Sequence, residues 1–266
     1  MQPLRLTSSQ APNADHIPRG LARYLSARLG IPVAFIDDLP WQEREAQLEA
    51  GAIQIGWLCG LAYVRWVDAP QPPLELLAAH VLAGARYRGE PVYYSDVVVR
   101  RESAFHSFAD LRGATWAYNE PASHSGYEVV RYHLATLGER AGYFGRAVEA
   151  GSHQNALKLI IGGQVDGAAI DSTVLEEEIR RSPALAGQIR VVEALGPSPI
   201  PPWVIHRSVP PGQREAIRAA LFTMHDDPAG QAILAAGHLA RFVRVADRDY
   251  DPIREMARLA APVRLA

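Results

Sequence analysis

The sequence predicts an α/β protein built as two lobes, each a mostly parallel sheet flanked by helices. Three observations carry that expectation. Strand-like and helix-like runs alternate along most of the 266 residues, which is how parallel sheets covered by helices are built. The alternation pauses and restarts after Gly89. Gly196-Pro197-Ser198-Pro199-Ile200-Pro201-Pro202 then forms a Pro-dense connection, semi-rigid and unsuited to a sheet interior.

In order, Leu4 to Ser8 reads as a buried strand ending in the polar loop Ser8-Ser9-Gln10. Asn13 or Asp15 is placed to cap the next helix, with Pro18 tolerated in its first turn. Ile17, Leu21, Leu25 and Leu29 recur along one helical face, and Gly30 stops it. Ile31 to Ile36 is a second strand, and Pro40 to Ala50 a charged helix that turns Leu39, Ala46 and Ala50 inward. Ile53 to Leu58 is a strand, Gly60 to Val67 a short helix, and Leu74 to Leu82 a further strand.

Past Gly89, Val92 to Arg101 reads as a Tyr- and Val-rich strand and Phe108 to Gly113 as a helical turn. Strand Ala114 to Tyr118 leads through Asn119-Glu120-Pro121-Ala122-Ser123-His124-Ser125-Gly126 into a helix from Tyr127. A strand ending at Ala150 precedes the helix Ser152 to Gly163, followed by strand Val165 to Ile170, helix Thr173 to Arg181 and strand Ile189 to Ala194. After the Pro-dense linker come strand Trp203 to His206, helix Pro211 to Asp226 and a helical tail through Ala266.

A formal charge of -2 and a pI near 6.5 exclude a general attraction to nucleic acid or an anionic membrane, so any anion site must be local. One cysteine, Cys59, excludes an internal disulfide and a multi-cysteine metal site; it reads as a small buried hydrophobe. No run approaches the ~20 apolar residues of a membrane span. Met1 to Leu6 enters a strand pattern with no charged leader and apolar run before it. The protein is thus expected either to stay in the cytoplasm or to have lost a leader or anchor.

Open parallel sheets bind ligands beyond the carboxyl ends of their strands. That rule selects the loops Ser8 to Gln10 (with Ser9), Trp57 to Gly60, Tyr93 to Ser95 (with Tyr94), Asn119 to Gly126, Gly151 to His153, and Asp171 to Thr173, lining a cleft between the lobes. The first turn of a helix has unpaired N–H groups and a partial positive charge, so an oxyanion there gains hydrogen bonds and field together. Ser123 and Ser125 add hydroxyls, and Gly126 permits close approach of backbone to ligand. Either serine also fits a plain N-cap, as does Ser152 in Gly151-Ser152-His153. His153 is positioned to donate to a ligand oxygen. Asp171 suits a protonated ligand group or amine, or a cap for the helix from Thr173. Tyr93 and Tyr94 alternate across their strand, so only one faces the cleft. Trp57 is a pocket wall or core. Walker loops, dinucleotide glycine fingerprints, nucleophile elbows and metal-spaced histidines are missing, so neither a cofactor nor a metal nor a catalytic residue is expected.

Four stretches, spanning most of the chain, resemble the phosphate/phosphite/phosphonate-binding proteins of ABC transporters, within the type II periplasmic binding protein fold. They are Gly51-Ala52-Ile53-Gln54-Ile55-Gly56-Trp57 through Tyr63; Tyr93-Tyr94-Ser95-Asp96-Val97-Val98-Val99; Phe108-Ala109-Asp110-Leu111-Arg112-Gly113 with Ser123-His124-Ser125-Gly126; and Gly151-Ser152-His153 with Gly163-Gln164-Val165-Asp166-Gly167-Ala168. The resemblance implies residues 1–91 plus 201–266 as lobe I and 92–200 as lobe II, hinged near 89–92 and 196–202. It implies that Ser123, His124 and Ser125 hold an oxyanion through hydroxyl and backbone N–H groups. His153 touches the same group, Tyr93 or Tyr94 closes the pocket, and Asp171 and Thr173 stand where relatives place polar or acidic ligand contacts. His124 departs from the more usual Thr, and Trp57-Leu58-Cys59 makes the first-lobe loop bulkier. The implied function is capture of a small phosphonate-, phosphite- or phosphate-like anion for an ABC permease in the periplasm or at the cell surface, by hinge closure. A cytosolic enzyme or ligand sensor on the same fold is the alternative.

Overall fold

The computed structural model describes residues 1–266. The chain divides into two compact units, Met1–Val92 with Pro199–Asp251, and Tyr93–Ser198 with Pro252–Ala266. The C-terminal assignment above is therefore corrected: residues 252–266 belong with the second unit. Val263 and Leu265 are buried in that unit's core, and Arg131 donates to the carbonyls of Ala260, Ala261 and Val263. Two apolar side chains and a three-carbonyl clamp outweigh proximity in sequence to the preceding strands.

Unit 1 has a six-stranded sheet in the order β11-β4-β10-β3-β1-β2. Its strands are β1 (Leu4–Ser8), β2 (Val33–Phe35), β3 (Ile55–Trp57), β4 (Leu74–Leu82), β10 (Trp203–His206) and β11 (Leu239–Val243). β1 pairs in parallel with β2 and β3, whereas β10 runs antiparallel to β3 and β4, and β11 antiparallel to β4. The sheet is mixed rather than mostly parallel, because the returning chain inserts β10 between β3 and β4. Helix α1 (His16–Leu29) buries Ile17, Leu21 and Leu25 and ends on left-handed Gly30, where φ is 66°. Asp15 occupies the cap position without a side-chain cap bond. On α2 (Trp41–Glu49) the inward residue is Leu48, not Ala46 or Ala50; a Cβ on Gly56 would lie 2.3 Å from a Leu48 methyl, so β3 passes under α2 only as glycine. Helix α3 is Gly60–Val67.

The C-terminal segment of this unit is not all helix. Helix α8 (Pro211–Phe222) and α9 (Pro228–Ala236) are followed by β11, whose Leu239 and Phe242 are buried. Five residues between helical patterns carry too little periodicity to be read as a strand; pairing with β4 decides the conformation.

Unit 2 holds a five-stranded sheet, β7-β6-β8-β5-β9. These are β5 (Val92–Arg100), β6 (Thr115–Tyr118), β7 (Arg146–Glu149), β8 (Gly167–Asp171) and β9 (Ile189–Pro199). β6 is parallel to β7 and β8, and β5 is antiparallel to β8, so this sheet is also mixed. Both faces are covered: Val97, Val99 and Trp116 enter one apolar cluster, Val98, Ala117 and Ile170 the other. The helices are α4 (Val129–Thr136), α5 (His153–Ile161), α6 (Ser172–Arg181), the single turn α7 (Leu185–Gln188), and α10 (Asp251–Ala260), which begins at the unit boundary. The Pro-dense stretch is partly strand, since β9 runs through Pro197 and Pro199; its place at the sheet edge makes a missing N–H tolerable.

Candidate oxyanion site

The site in unit 2 grows from adjacent strands β6, β7 and β8. Beyond β6, Ser123 is the N-cap of a wide π turn, His124–Glu128, that leads into α4. Ser123 Oγ accepts from Gly126 N at 3.1 Å, and the Ser123 carbonyl accepts from Glu128 N five residues on. The plain-cap reading thus holds for the Ser123 hydroxyl. The wide turn holds Ser125 in the first turn, and such turns mark functional places in helices. A Cβ on Gly126 would lie 2.1 Å from Asn119 Oδ1, so no other residue fits there without a shift.

β7 stays zipped to β6 past its end: Ala150 N donates to Tyr118 O and Gly151 N to Asn119 O, both at 2.8 Å. Gly151 then takes a left-handed φ of 76°, and Ser152 caps α5 by accepting from Asn155 N at 3.1 Å. This turn brings His153 against the serine loop. His153 Nε2 and Ser125 Oγ are 3.1 Å apart, and both residues are buried. Two helix beginnings, 28 residues apart in sequence, therefore meet at one hydrogen bond.

β8 delivers the third member. Asp171, buried, caps α6 by accepting from Thr173 N at 2.9 Å and Thr173 Oγ1 at 2.7 Å, and it also accepts from the Ser125 hydroxyl. Burial pushes its carboxyl up to about 6, against the pull of those hydrogen bonds, with the Asp96 carboxylate adding to the rise. Burial holds the His153 imidazole near 4, although its contact with the Ala169 carbonyl favours a protonated ring. Asp96 and Ser95, both buried on β5, face β8 in register with Ile170 and Asp171. Sequence reasoning placed Asn119 in the loop and Asp96 in the strand without giving either a role. A lone Asp inside a Val-rich strand is the signal that points to the first; nothing local distinguishes the second.

One hydroxyl hydrogen cannot serve both His153 and Asp171. When Ser125 donates to the carboxylate, His153 Nε2 must donate to Ser125; when Nε2 accepts instead, the ring proton sits on Nδ1, which is buried without a hydrogen-bond partner.

His124 turns its side chain into the core. Its imidazole is fully buried, with Nε2 3.1 Å from Ser198 Oγ and its ring 6.5 Å from that of Tyr93. Burial lowers it to about 4. Only its backbone is left for a ligand. Tyr93 is buried and Tyr94 half-buried, with Tyr94 N donating to Ser172 Oγ, which makes Tyr94 the tyrosine with an accessible face. Trp57 and Ser9 lie in unit 1. Trp57 is buried, donates Nε1 to Pro201 O at 3.2 Å, stacks on Trp203 at 5.1 Å and meets His80 edge-on at the same separation. Ser9, half-buried, donates N to Trp57 O at 2.9 Å. Cys59 is partly exposed rather than buried. No group of three metal-ligating side chains occurs, and no helix is long and apolar enough to cross a membrane.

Two mixed sheets with flanking helices, and paired helix starts beside β6 and β7, define a type II periplasmic-binding-protein fold. The chain belongs to the family of periplasmic substrate-binding proteins of phosphonate ABC transporters, whose sequence pattern matches residues 8–250. Among solved structures it is similar to a binding-protein component of a phosphonate ABC transporter from Pseudomonas aeruginosa, at 22% identity, a TM-score of 0.83, and coverage of 98% of this chain and 87% of that one. It is also similar to PhnD1 from Prochlorococcus marinus, solved with methylphosphonate, at 17% identity, a TM-score of 0.84, and coverage of 98% and 99%. The aliphatic sulphonate-binding protein SsuA from Escherichia coli shares the fold at 16% identity and a TM-score of 0.67, over 97% of this chain and 86% of that one.

Proposed function

We propose that this protein captures a phosphonate, or a phosphite- or phosphate-like anion, at Ser125 and His153 and delivers it to the membrane permease of an ABC importer. The observation that carries the reading is the Ser125 Oγ to His153 Nε2 contact at 3.1 Å, made by the first turns of two helices. His124 and Ser125 contribute backbone N–H groups, since those of Ser123 and Gly126 already donate to Glu120 O and Ser123 Oγ; Tyr94 and Thr173 border the site, and Asp171 orients Ser125. Ser9 and Trp57 of unit 1 are proposed as further contacts. Hinge closure about the chain crossings near 92/93 and 198/199 would then follow from ligand contacts completed only in the closed state.

The chemistry favours a binder over an enzyme. In a hydrolytic triad the histidine lies between serine and carboxylate, which orients it as a base. Here Ser125 lies between His153 and Asp171, and an imidazole held near 4 is a poor base at neutral pH. Export to the periplasm, as in the family, completes the reading; fractionation of cells expressing the gene checks it.

Calorimetry with methylphosphonate, phosphite, phosphate and sulfate tests the ligand class. At least one phosphorus oxyanion binds in the micromolar range or tighter, and Ser125→Ala or His153→Ala weakens it by roughly 10- to 150-fold, the worth of a hydrogen bond to a charged group. Phosphorus NMR over hours shows the ligand unchanged. The reading fails if none of these anions binds at millimolar concentration, or if both variants bind like the parent.

A further inference from the structure

Unit 1 carries a second concentration of positive charge that the oxyanion site does not use. A recess of about 450 Å³ is lined by Arg214, Arg218 and Glu215 of α8, Glu75 at the start of β4, and Arg244 beyond β11, with Leu76 and Pro211 among its apolar walls. That volume lies within the range of small-molecule sites. Glu75 is its anionic centre. Its carboxylate meets Arg214 and Arg218, the latter at 2.6 Å, with Arg207 3.6 Å away. Arg218 also pairs with Glu215 and donates to Leu76 O at 2.9 Å. Arg244 lies over the Phe222 ring, 5.6 Å from its centroid.

One carboxylate facing three guanidiniums is more cation than a structural ion pair needs. Among the lining residues, Arg214, Arg218 and Arg244 against Glu75 and Glu215 leave one positive charge in excess, in a chain whose net charge is -2. Arg214 is half-buried, and its Nε–H is buried with no acceptor. An orphaned donor of that kind costs free energy unless something accepts from it. Planar guanidinium forks suit carboxylate or phosphate oxygens.

We propose that this recess is a second anion site, taking a small ligand with at least two negative charges on adjacent phosphate or carboxylate groups. Arg244 and Arg214 meet the ligand, Arg218 holds the rim, and Glu215, exposed and bound to Arg218, is the group the anion competes with.

Calorimetry with pyrophosphate and with citrate, at constant ionic strength, is run on the full chain carrying His153→Ala, so that the first site is weakened, and then with Arg244→Gln or Glu215→Gln added. Both added substitutions are at exposed positions and preserve the fold. Arg244→Gln weakens binding and Glu215→Gln strengthens it, each by roughly two- to fivefold, the scale of an exposed charge pair. Binding of pyrophosphate alone assigns the site to phosphoryl groups; binding of both assigns it to charge density. Absence of binding by either anion at millimolar concentration overturns the proposal, and so do equal affinities across the variants or a loss with Glu215→Gln.

Discussion

The oxyanion site of unit 2 and the arginine recess of unit 1 meet negative charge in opposite ways. At the Ser125–His153 junction the paired groups are a hydroxyl and an imidazole at two helix starts, and the carboxylates Asp171 and Asp96 are buried beside them. Around Glu75 the donors are full cations, partly exposed and already paired. Buried dipoles select by geometry and by which oxygens carry protons; exposed cations select by charge count. Proton occupancy should therefore control the first region and salt the second.

The largest expected effect is on stability in acid. Buried His80, His124 and His153 are held at about 3, 4 and 4, below an unfolded value of 6.5. Between those limits the unfolded chain binds protons that the folded chain refuses, so each histidine removes stability as pH falls through that window. Asp171 acts in the reverse sense. Its folded value of about 6 exceeds the unfolded 3.8, so the folded chain holds the extra proton and gains stability on acidification through the same range. At about 1.4 kcal/mol per pH unit per group, three against one leaves a loss of roughly 3 kcal/mol per unit between pH 6 and 4. Denaturant melts across that range check it. Asp171→Asn keeps a capping oxygen but removes the opposing titration, so its stability falls more steeply with acid than the parent's. Parallel slopes for the two proteins would mean that Asp171 is not protonated in the fold.

A smaller effect is expected from Gly126→Ala. The added methyl would meet Asn119 Oδ1 at 2.1 Å and His153 Cε1 at 3.0 Å, so the serine turn must move away from α5 and lengthen the Ser125–His153 contact. Ligand affinity falls by roughly tenfold, comparable to losing one hydrogen bond, while the arginine recess is untouched. Unchanged affinity would show that the two helix starts need not meet.

The contrast also explains what was legible in the sequence. Helix starts announce themselves through Ser, Gly and strand-to-helix transitions, so the turns that carry Ser125, Gly126 and His153 were legible as helix starts, and β1, β4, α3 and β10 fall where the apolar runs place them. Long-range pairing was not legible. The insertion of β10 between β3 and β4, the strand character of Leu239–Val243, and the return of Pro252–Ala266 to unit 2 depend on contacts made dozens to more than a hundred residues away. The burial of the His124 imidazole against Ser198, 74 residues on, was not legible for the same reason. The arginine recess assembles Glu75, Arg214 and Arg244 from three separate stretches, none of which carries a motif.

The smallest effect is the response to salt. Screening acts on exposed charges over a Debye length that shrinks from ~14 Å near 50 mM to ~4 Å near 500 mM, and it acts far less on buried donors. Ser125 and His153 are almost wholly inaccessible, so phosphonate affinity should change by less than about twofold over that range. In the recess, Arg244 is exposed and Arg214 and Arg218 partly so, and pyrophosphate affinity there should fall severalfold over the same range. Titrating both ligands in one buffer series reads the two responses side by side. If phosphonate binding weakened with salt as much as pyrophosphate binding, cations outside the Ser125–His153 junction would be holding the ligand. The neutral-dipole account of that site would then give way to one in which charged side chains of the chain do the gripping.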